Sequence, residues 1–438
     1  LLLALAGTGW VLTSASLITR FAAAPVNSPA DFLRVVVLDQ QSLLFEAWLL
    51  LGSVLAAPMF ASSVVAIPLL LDRRITVMQC LPALQAGGVE RSTLEIARAL
   101  VERGHRSVVI SAGGRLQAQC IAEGSEHFKC EIGKKSLLIL RSVYRFRELL
   151  KELKPDIVHA RSRLPAWSAL LAMKTLERSP KFITSVHGLN SPGFYSGVML
   201  RGEKIICVSD TVKKHVLRHW PNTDSKKIIV ITPGIDPKEF SAERPVNEQW
   251  REDFFTAYPK LQGEKLLLLP ARATRLKGHG FALNLLAVLR REIGDVRLCC
   301  LGTRQIGREK YLQELQQQAE QLGVSNFVEF VKPINAIDNA YAVSDLVLQL
   351  SSKAEAFGRT VIEALSIGRP VLGWNLGGVG ENLQKFFPAG MVEPFDEIAL
   401  AERAKNILEN KILPARQDLP SLAAMQSNMM ELYEQLCT

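Results

Sequence analysis

Two glutamates, Glu355 and Glu363, stand eight positions apart in a stretch whose pattern could bind a phosphate group together with hydroxyl groups. The stretch predicts a buried strand that ends at Leu350, a polar turn that carries Glu355, and a helix that begins near Gly358. Glu363 then lies about one turn, roughly 6 Å, inside a helix whose free N–H groups begin near Phe357. Helix N-termini attract anions, and carboxylates accept hydrogen bonds from hydroxyl groups, so the pattern predicts a phosphate flanked by two polyols, as in a nucleotide diphosphate sugar. A structural alternative remains open, because an acid in a first helical turn also stabilises the helix itself.

Basic residues after another predicted strand could neutralise such a phosphate. The strand, residues 265–270, is almost wholly apolar and is followed by Arg272, Arg275 and Lys277. Ligands of open parallel sheets bind at the carboxyl ends of the strands. These cations should therefore lie at the edge of the sheet where the ligand binds. Arginine forks onto phosphate oxygens and lysine offers a point charge, so both types suit a departing nucleoside diphosphate. The alternative is an ordinary solvated loop.

The first half of the chain contains a Gly-rich turn, Gly87-Gly88, between a predicted strand and a predicted helix. A dinucleotide-binding fold is disfavoured, because this turn is not G-x-G-x-x-G and the next strand ends in residues 110–112 without an acid for a ribose. His159 and His187 each stand near the end of a further predicted strand. Lone histidines at strand ends are most often structural, and this interpretation is retained for His159.

The stretch from 346 to 383 closely resembles the donor-site signature of glycosyltransferase family 4. The matching residues are Glu355, Phe357-Gly358, Glu363-Ala364, Gly368, Pro370-Val371, Gly377-Gly378 and Glu381. The similarity runs from about Ile75 to the C-terminus. It implies the GT-B fold, an α/β fold of two facing Rossmann-like domains with parallel sheets, and a retaining transfer of a sugar from a nucleotide diphosphate sugar.

The resemblance assigns roles to the signature residues. Glu363 would hold the ribose hydroxyl groups of the donor. Glu355, a candidate catalytic residue, would orient the transferred sugar together with the backbone amides of Phe357 and Gly358.

Residues outside the signature also match the family. Arg272 and Lys277 correspond to the family's "G-R…K-G" and would hold the diphosphate. His187, in a T-x-V-H-G sequence, corresponds to a strand-end histidine that contacts the donor sugar, and it is the second candidate catalytic residue. Gly87 and Gly88 would lie near the donor phosphate and the acceptor, although a simple tight-turn role is as compatible with the sequence.

The sequence predicts neither a bound metal nor a cofactor. No D-x-D occurs in the chain, so the divalent metal of GT-A transferases is not expected, and neither is a cofactor beyond the nucleotide sugar itself.

Pro233 replaces the Asn of the family's N-G-V-D sequence at the crossing between the domains. The seven cysteines show no metal-binding spacing and indicate a reducing compartment.

Length and pattern divide the chain into an apolar N-terminal segment, two domains and a final helix. The predicted segments are 1–71, 75–240, 255–415 and 416–438. The first Rossmann-like domain would take the acceptor and the second the nucleotide sugar. The final helix resembles the C-terminal GT-B helix that folds back over the first domain.

The N-terminal segment predicts membrane insertion. Two apolar runs, 1–19 and 43–71, are long enough to cross a bilayer, and Arg73 and Arg74 favour a cytosolic side after the second run. A secretory signal fits poorly, because no basic region precedes the first run. A transmembrane hairpin is favoured, and a fused remnant of an unrelated membrane protein is the alternative.

Positive charge is concentrated in the first Rossmann-like domain. The net charge of the chain is +9, and the excess of basic residues between positions 101 and 220 is larger than that of the whole chain. Residues 134–154 predict an amphipathic helix with a basic side, which either binds an anionic membrane surface or is simply solvated. Nucleic acid is not expected as a partner, because the basic residues lack interleaved aromatic residues.

Together these patterns predict a glycosyltransferase that acts on a glycolipid or glycan acceptor, of lipopolysaccharide type, at the cytoplasmic face of the bacterial inner membrane. Two alternatives stay open. One is a GT-B sugar-nucleotide epimerase or phosphorylase, and the other is a noncatalytic protein that binds sugar nucleotides.

Overall fold

The computed structural model describes residues 2–38, 43–54, 74–85, 87–133, 139–263 and 265–437. The chain divides into two units, Leu1–Arg74 and Ile75–Thr438. Both parallel sheets belong to the second unit.

The secondary structure elements of the first unit are helical in its described residues. Its elements are α1 (Leu2–Phe21), α2 (Pro29–Phe32), the π-helical turn Leu33–Val37 and a helix over 44–54. The ring of Trp48 packs against Trp10 and Phe32, with centroid distances of 5.2 and 5.3 Å.

Among the described residues, including α1 over the first predicted span, no helix combines the length and the apolar character needed to cross a bilayer. Residues 55–71 of the second predicted span lie outside the described residues, as do Asp72 and Arg73. Membrane insertion of this segment stays a prediction.

The first sheet of the second unit has seven strands, all parallel, in the order β3-β2-β1-β4-β5-β6-β7. The strands are β1 (Thr76–Cys80), β2 (Arg106–Ser111), β3 (Glu126–Lys129), β4 (Ile157–Ala160), β5 (Lys181–Val186), β6 (Lys204–Cys207) and β7 (Ile228–Val230).

The second sheet has six strands, also all parallel, in the order β10-β9-β8-β11-β12-β13. The strands are β8 (Lys265–Pro270), β9 (Val296–Leu301), β10 (Val328–Val331), β11 (Leu346–Gln349), β12 (Val371–Trp374) and β13 (Met391–Val392). The two parallel sheets confirm the predicted pair of Rossmann-like domains.

Helices connect the strands of both sheets. They are α3 (Gly88–Glu102), α4 (Gln117–Ala122), α5 (Ile139–Leu153), α6 (Arg163–Met173), α7 (Phe194–Gly197), α8 (Asp210–His219), α9 (Glu248–Ala257), α10 (His279–Ile293), α11 (Glu309–Gln321), α12 (Ile337–Ala342), α13 (Arg359–Ser366), α14 (Gly377–Phe386), α15 (Glu397–Glu409) and α16 (Leu422–Cys437). Short 3₁₀ turns occupy Val198–Leu200, Ser225–Lys227, Pro259–Leu261, Arg275–Lys277 and Pro388–Gly390.

The central strands are largely apolar because both faces of each sheet are covered. In β8, for example, the four leucines from Leu266 to Leu269 are each at most 4% exposed. The last helix, α16, covers one face of the first sheet, where Met425, Met429 and Tyr433 pack with Ile96 on α3.

The strand order places a topological switch point in each sheet. In the first sheet the chain order reverses between β1 and β4, and in the second between β8 and β11. Ligands of open α/β sheets bind in the crevice outside the carboxyl ends of such strand pairs. The loop with Gly87 follows β1, the loop with Lys277 follows β8, and the turn with Glu355 follows β11.

The composition of Gly377-Gly378 predicts a loop that ends near Glu381, and this prediction is wrong, because both residues begin helix α14. Glycine is needed at Gly378 because the backbone of α14 packs closely on that of Phe357. A Cβ on Gly378 would lie 2.5 Å from Cα of Phe357. The absence of a side chain therefore lets α14 pack directly on the turn that precedes α13.

Candidate active site

The two domains of the second unit touch at the signature stretch. Ser209, which follows β6, donates a hydrogen bond from Oγ to the carbonyl of Ala356 at 2.5 Å. Glu381 on α14 accepts hydrogen bonds from the backbone N–H of Thr211 at 2.7 Å and from its hydroxyl at 2.6 Å. Glu381 thus caps the N-terminus of α8 from across the domain boundary.

Lys277 and Glu355, predicted separately from two loops, are in direct contact through Nζ and Oε1. The same carboxylate accepts hydrogen bonds from Ser351 Oγ at 2.5 Å and Gln349 Nε2 at 3.2 Å. Both charged side chains are partly exposed, at 30% and 23%. The switch point of the second sheet therefore carries a solvent-accessible cation that is matched by one carboxylate.

Arg272, the second predicted diphosphate ligand, is exposed in the same loop as Lys277. None of the described side chains makes a hydrogen bond or an ion pair with its guanidinium. Arg275 points elsewhere, since it pairs with Glu314 at 2.5 Å and lies over the ring of Tyr311. Of the three basic residues in this loop, Arg272 is unpaired in the described part of the chain, Lys277 faces Glu355 at the switch point, and Arg275 is engaged with Glu314.

The turn before α13 has the shape that the sequence predicts. Gly358 has a φ of 76°, which an L side chain adopts only with strain, and α13 begins at the next residue. The side chain of Phe357 is 7% exposed and belongs to the core, so only its backbone could contact a ligand.

Glu363 is more enclosed than the sequence suggests. It is 8% exposed. Oε2 accepts a hydrogen bond from Tyr341 at 3.0 Å, and Oε1 lies 3.0 Å from Arg359 Nε and 3.8 Å from Arg91. Burial raises the pKa of Glu363, and the two arginines oppose this shift. The carboxylate is thus held in a fixed orientation.

An ion-pair network that the sequence did not reveal links the domains at this point. Arg359 pairs with Glu95 of α3 at 2.7 Å, and Arg91 pairs with Glu95 at 3.2 Å and with Glu239 at 2.5 Å. Arg91 and Glu95 have the i,i+4 spacing of a helical ion pair, but the contacts of Glu95 with Arg359 and of Arg91 with Glu239 join distant parts of the chain, so no local spacing signals them.

Gly87 and Gly88 line a cavity of about 490 Å³ between the domains, together with Arg91, Glu95 and Arg359. A Cβ on Gly88 would meet nothing within 4 Å. The Gly-rich turn therefore faces open space at the cleft, and a role in binding and a role in turning the chain are both compatible with its position.

His187 directly follows β5, at the edge of the first sheet that faces the signature stretch, and it is partly buried. Its Nε2 lies 3.5 Å from Nη1 of Arg161. Burial and the charge of Arg161 lower the pKa of His187 to about 3, so the ring is neutral at pH 7. His159 is fully buried between Tyr433 and Ser185, which agrees with the structural role expected for it.

Three sequence families match this chain. Residues 86–239 match "Glycosyltransferase Family 4", residues 251–420 match "Glycosyl transferases group 1", and residues 1–72 match "Predicted integral membrane protein (DUF2189)". The first two ranges together cover most of the chain.

Individual proteins and solved structures are also similar to this chain. The chain is 27% identical over 274 residues to spore coat protein SA of Bacillus subtilis, covering 60% of this chain and 71% of the relative. A glycosyltransferase structure from Rickettsia africae superposes with a TM-score of 0.72 at 29% identity, over 83% of this chain and 99% of the other. Anabaena HepE in complex with UDP and glucose has the same fold, with a TM-score of 0.66 at 18% identity, over 83% of this chain and 100% of the other. The chain therefore belongs to glycosyltransferase family 4 and carries its GT-B fold.

Proposed function

We propose that this glycosyltransferase moves a sugar from a nucleotide diphosphate sugar to a lipid-linked or lipopolysaccharide-type acceptor, with retention of anomeric configuration. The observation that carries the proposal is the contact of Lys277 with Glu355 at the switch point of the second sheet. This crevice is where an open α/β sheet binds its ligand, and it holds a cation, a carboxylate and the start of α13.

The pair can exchange partners when a donor binds. A diphosphate brings negative charge to Lys277 and to the exposed Arg272, and it competes with Glu355 for the ammonium group. Glu355 is then released to accept hydrogen bonds from the hydroxyl groups of the transferred sugar. The cations also stabilise the charge that develops on the departing nucleoside diphosphate.

Glu363 suits the ribose because its carboxylate is already oriented. Tyr341 and Arg359 hold it in place, and the side chain keeps 8% of its surface exposed. A preorganised acceptor loses little entropy when a ribose hydroxyl donates to it. In this proposal the ribose shares the carboxylate with these groups and does not displace them.

The retaining mechanism rests on the resemblance to family 4. In such enzymes the leaving phosphate helps to deprotonate the acceptor hydroxyl on the same face of the sugar. Closure of the two domains around the donor would exclude water that otherwise hydrolyses it. No bound metal takes part in this proposal, so EDTA should leave turnover unchanged.

A membrane-bound acceptor is supported by the outer face of α5. Leu140 and Tyr144 are 73% and 64% exposed, and Arg141 and Arg145 beside them are exposed as well. Exposed apolar side chains among arginines suit an anionic lipid surface at the cytoplasmic face of a bacterial inner membrane. Lys134 and Lys135 of the predicted helix lie outside the described residues.

The experiment incubates the detergent-solubilised protein with UDP, GDP and ADP sugars and lipopolysaccharide-type acceptors. We expect release of one nucleoside diphosphate that depends on the acceptor, and a product with the donor's anomeric configuration by NMR. Release from none of the donors would overturn the proposal. Turnover without an acceptor would indicate an epimerase, and dependence on inorganic phosphate would indicate a phosphorylase.

A further inference from the structure

Arg161 is a buried guanidinium at the carboxyl end of β4, and no carboxylate of the described residues forms a direct ion pair with it. It is 2% exposed. Nε donates to Gln79 Oε1 at 2.8 Å and Nη1 donates to Ser92 Oγ at 3.3 Å, while Nη2 has no hydrogen-bond partner among the described residues. Burial of a charge with incomplete pairing opposes folding, so this residue is poorly explained by stability alone.

The partner of Arg161 on the cleft side is His187. Nη1 lies 3.5 Å from Nε2 of the imidazole. A guanidinium has only donors, so Nε2 must carry the lone pair and the ring proton must be on Nδ1. None of the described residues accepts a hydrogen bond from that Nδ1. The geometry therefore selects one tautomer and leaves its N–H available.

The charged and titratable groups around this pair come from four elements. His159 on β4 is neutral and bonded to Tyr433 on α16 and to Ser185 on β5. Tyr433 and Glu95 on α3 both stabilise the charge of Arg161, and Glu95 also pairs with Arg359 and Arg91. No carboxylate in the described part of the chain contacts His187. Arg161 is thus the dominant charge that acts on the imidazole.

We propose that Arg161 is a positioning residue that holds His187 as the neutral Nδ1–H tautomer, with that N–H directed to a hydroxyl group of the transferred sugar. The inference rests on the proposed function, because it takes His187 as a contact of the donor sugar. Gln79 fixes the guanidinium from behind, since its own Nε2 is bonded to the carbonyl of Thr93 at 3.1 Å. The sugar contact then keeps its hydrogen-bond donor at every pH at which the enzyme is folded.

The first test is ¹⁵N NMR of the wild-type chain labelled at histidine, with His187→Asn to assign the signal. We expect Nδ1 protonated, Nε2 unprotonated, and no titration of His187 between pH 5 and pH 8. An Nε2–H tautomer, or a titration near pH 6.5, would overturn the proposal without any need for an Arg161 variant.

The second test compares Arg161→Met with Arg161→Lys, which keeps the charge. In Arg161→Met the pKa of His187 should rise, because the charge of Arg161 is removed, but it should stay below 6.5, because burial is the larger cause of its low value. Nothing then holds the lone pair on Nε2, so kcat/KM should fall severalfold at pH 7.5 and should recover toward acid pH, at which the imidazolium donates from Nδ1 again. Arg161→Lys should keep the flat profile. A merely structural role of Arg161 would lower kcat/KM equally at every pH and would leave the titration of His187 in place.

The proposed function and the positioning role of Arg161 can be disproved independently of each other. If no nucleotide sugar is turned over, the proposed function fails, while the NMR titration still decides the pairing of Arg161 with His187. If turnover is present and the titration of His187 is the same in Arg161→Met, the positioning role is wrong and the proposed function stands.

Discussion

At the scale of single residues, the site depends on charges that match each other in the free protein. Lys277 pairs with Glu355, and Glu363 lies between Arg359 and Arg91. In the proposed function, each pair keeps a candidate ligand-binding group oriented until a ligand with the appropriate charge or hydroxyl groups competes for it. In the proposed function, the affinity for a donor therefore reflects an exchange of partners, with Lys277 as the decisive cation.

Replacement of Lys277 by alanine should weaken nucleoside diphosphate binding about 10- to 100-fold, because hydrogen bonds to charged groups contribute about 1.5–3 kcal/mol. Isothermal titration calorimetry with the nucleotide released in the donor screen measures the change. Arg275→Ala is the matched control, since this cation of the same loop is engaged with Glu314 and should be neutral to binding. If the wild type and Lys277→Ala bind the nucleoside diphosphate with equal affinity, Lys277 does not contact the donor.

His187 should make the stability of the protein depend on pH. Its pKa is about 3 in the folded chain against an ordinary 6.5, so between these values the unfolded state binds a proton that the folded state does not. The free energy of unfolding of the wild type should then fall, relative to that of His187→Asn, by about 2 kcal/mol between pH 7.5 and pH 5. Urea unfolding at both pH values tests this, and equal changes in the two proteins would contradict it.

At the scale of elements, the turns after the strands were predictable and the contacts between helices were not. Apolar runs such as 265–270 predict buried parallel strands. The basic and acidic residues that follow them must therefore lie at the carboxyl edge of the sheet. Gly377-Gly378 has the composition of a loop, but it begins α14 because Phe357 packs against it. That reason lies in tertiary packing and leaves no local pattern.

Glu381 should couple α14 to α8. Its carboxylate caps α8 from the other domain, so Glu381→Ala should lower the stability by about 1–2 kcal/mol and should increase hydrogen exchange at the start of α8. Asp396→Ala removes a cap within one domain, at α15, and should raise exchange only there. Unchanged exchange at Thr211 in Glu381→Ala would show that the cap does not connect the domains.

The outer face of α5 should bind anionic lipid. The double variant Leu140→Ser with Tyr144→Ser should lower partitioning onto phosphatidylglycerol vesicles by at least about tenfold, because two exposed apolar side chains no longer enter the interface. Ile306→Ser, a change at a fully exposed isoleucine of the second domain, serves as the control. If both proteins sediment with vesicles as the wild type does, α5 is an ordinary solvated helix.

At the scale of the whole molecule, the sequence predicted two parallel α/β domains and the residues at each strand end, and both sheets are present. It did not predict the network that joins Arg359 to Glu95, nor the position of Arg161 behind His187. These partners come from distant parts of the chain, and only the mutual arrangement of the two sheets brings them together. The same arrangement forms the cleft in which donor and acceptor would meet.

A crystal structure of the chain with a bound nucleoside diphosphate tests the central claim most directly. The account predicts phosphate oxygens within hydrogen-bonding distance of Lys277 Nζ, Glu355 separated from that lysine, and a ribose hydroxyl on the Glu363 carboxylate. A nucleotide seated on the first domain alone, with the Lys277 to Glu355 pair intact, would contradict it.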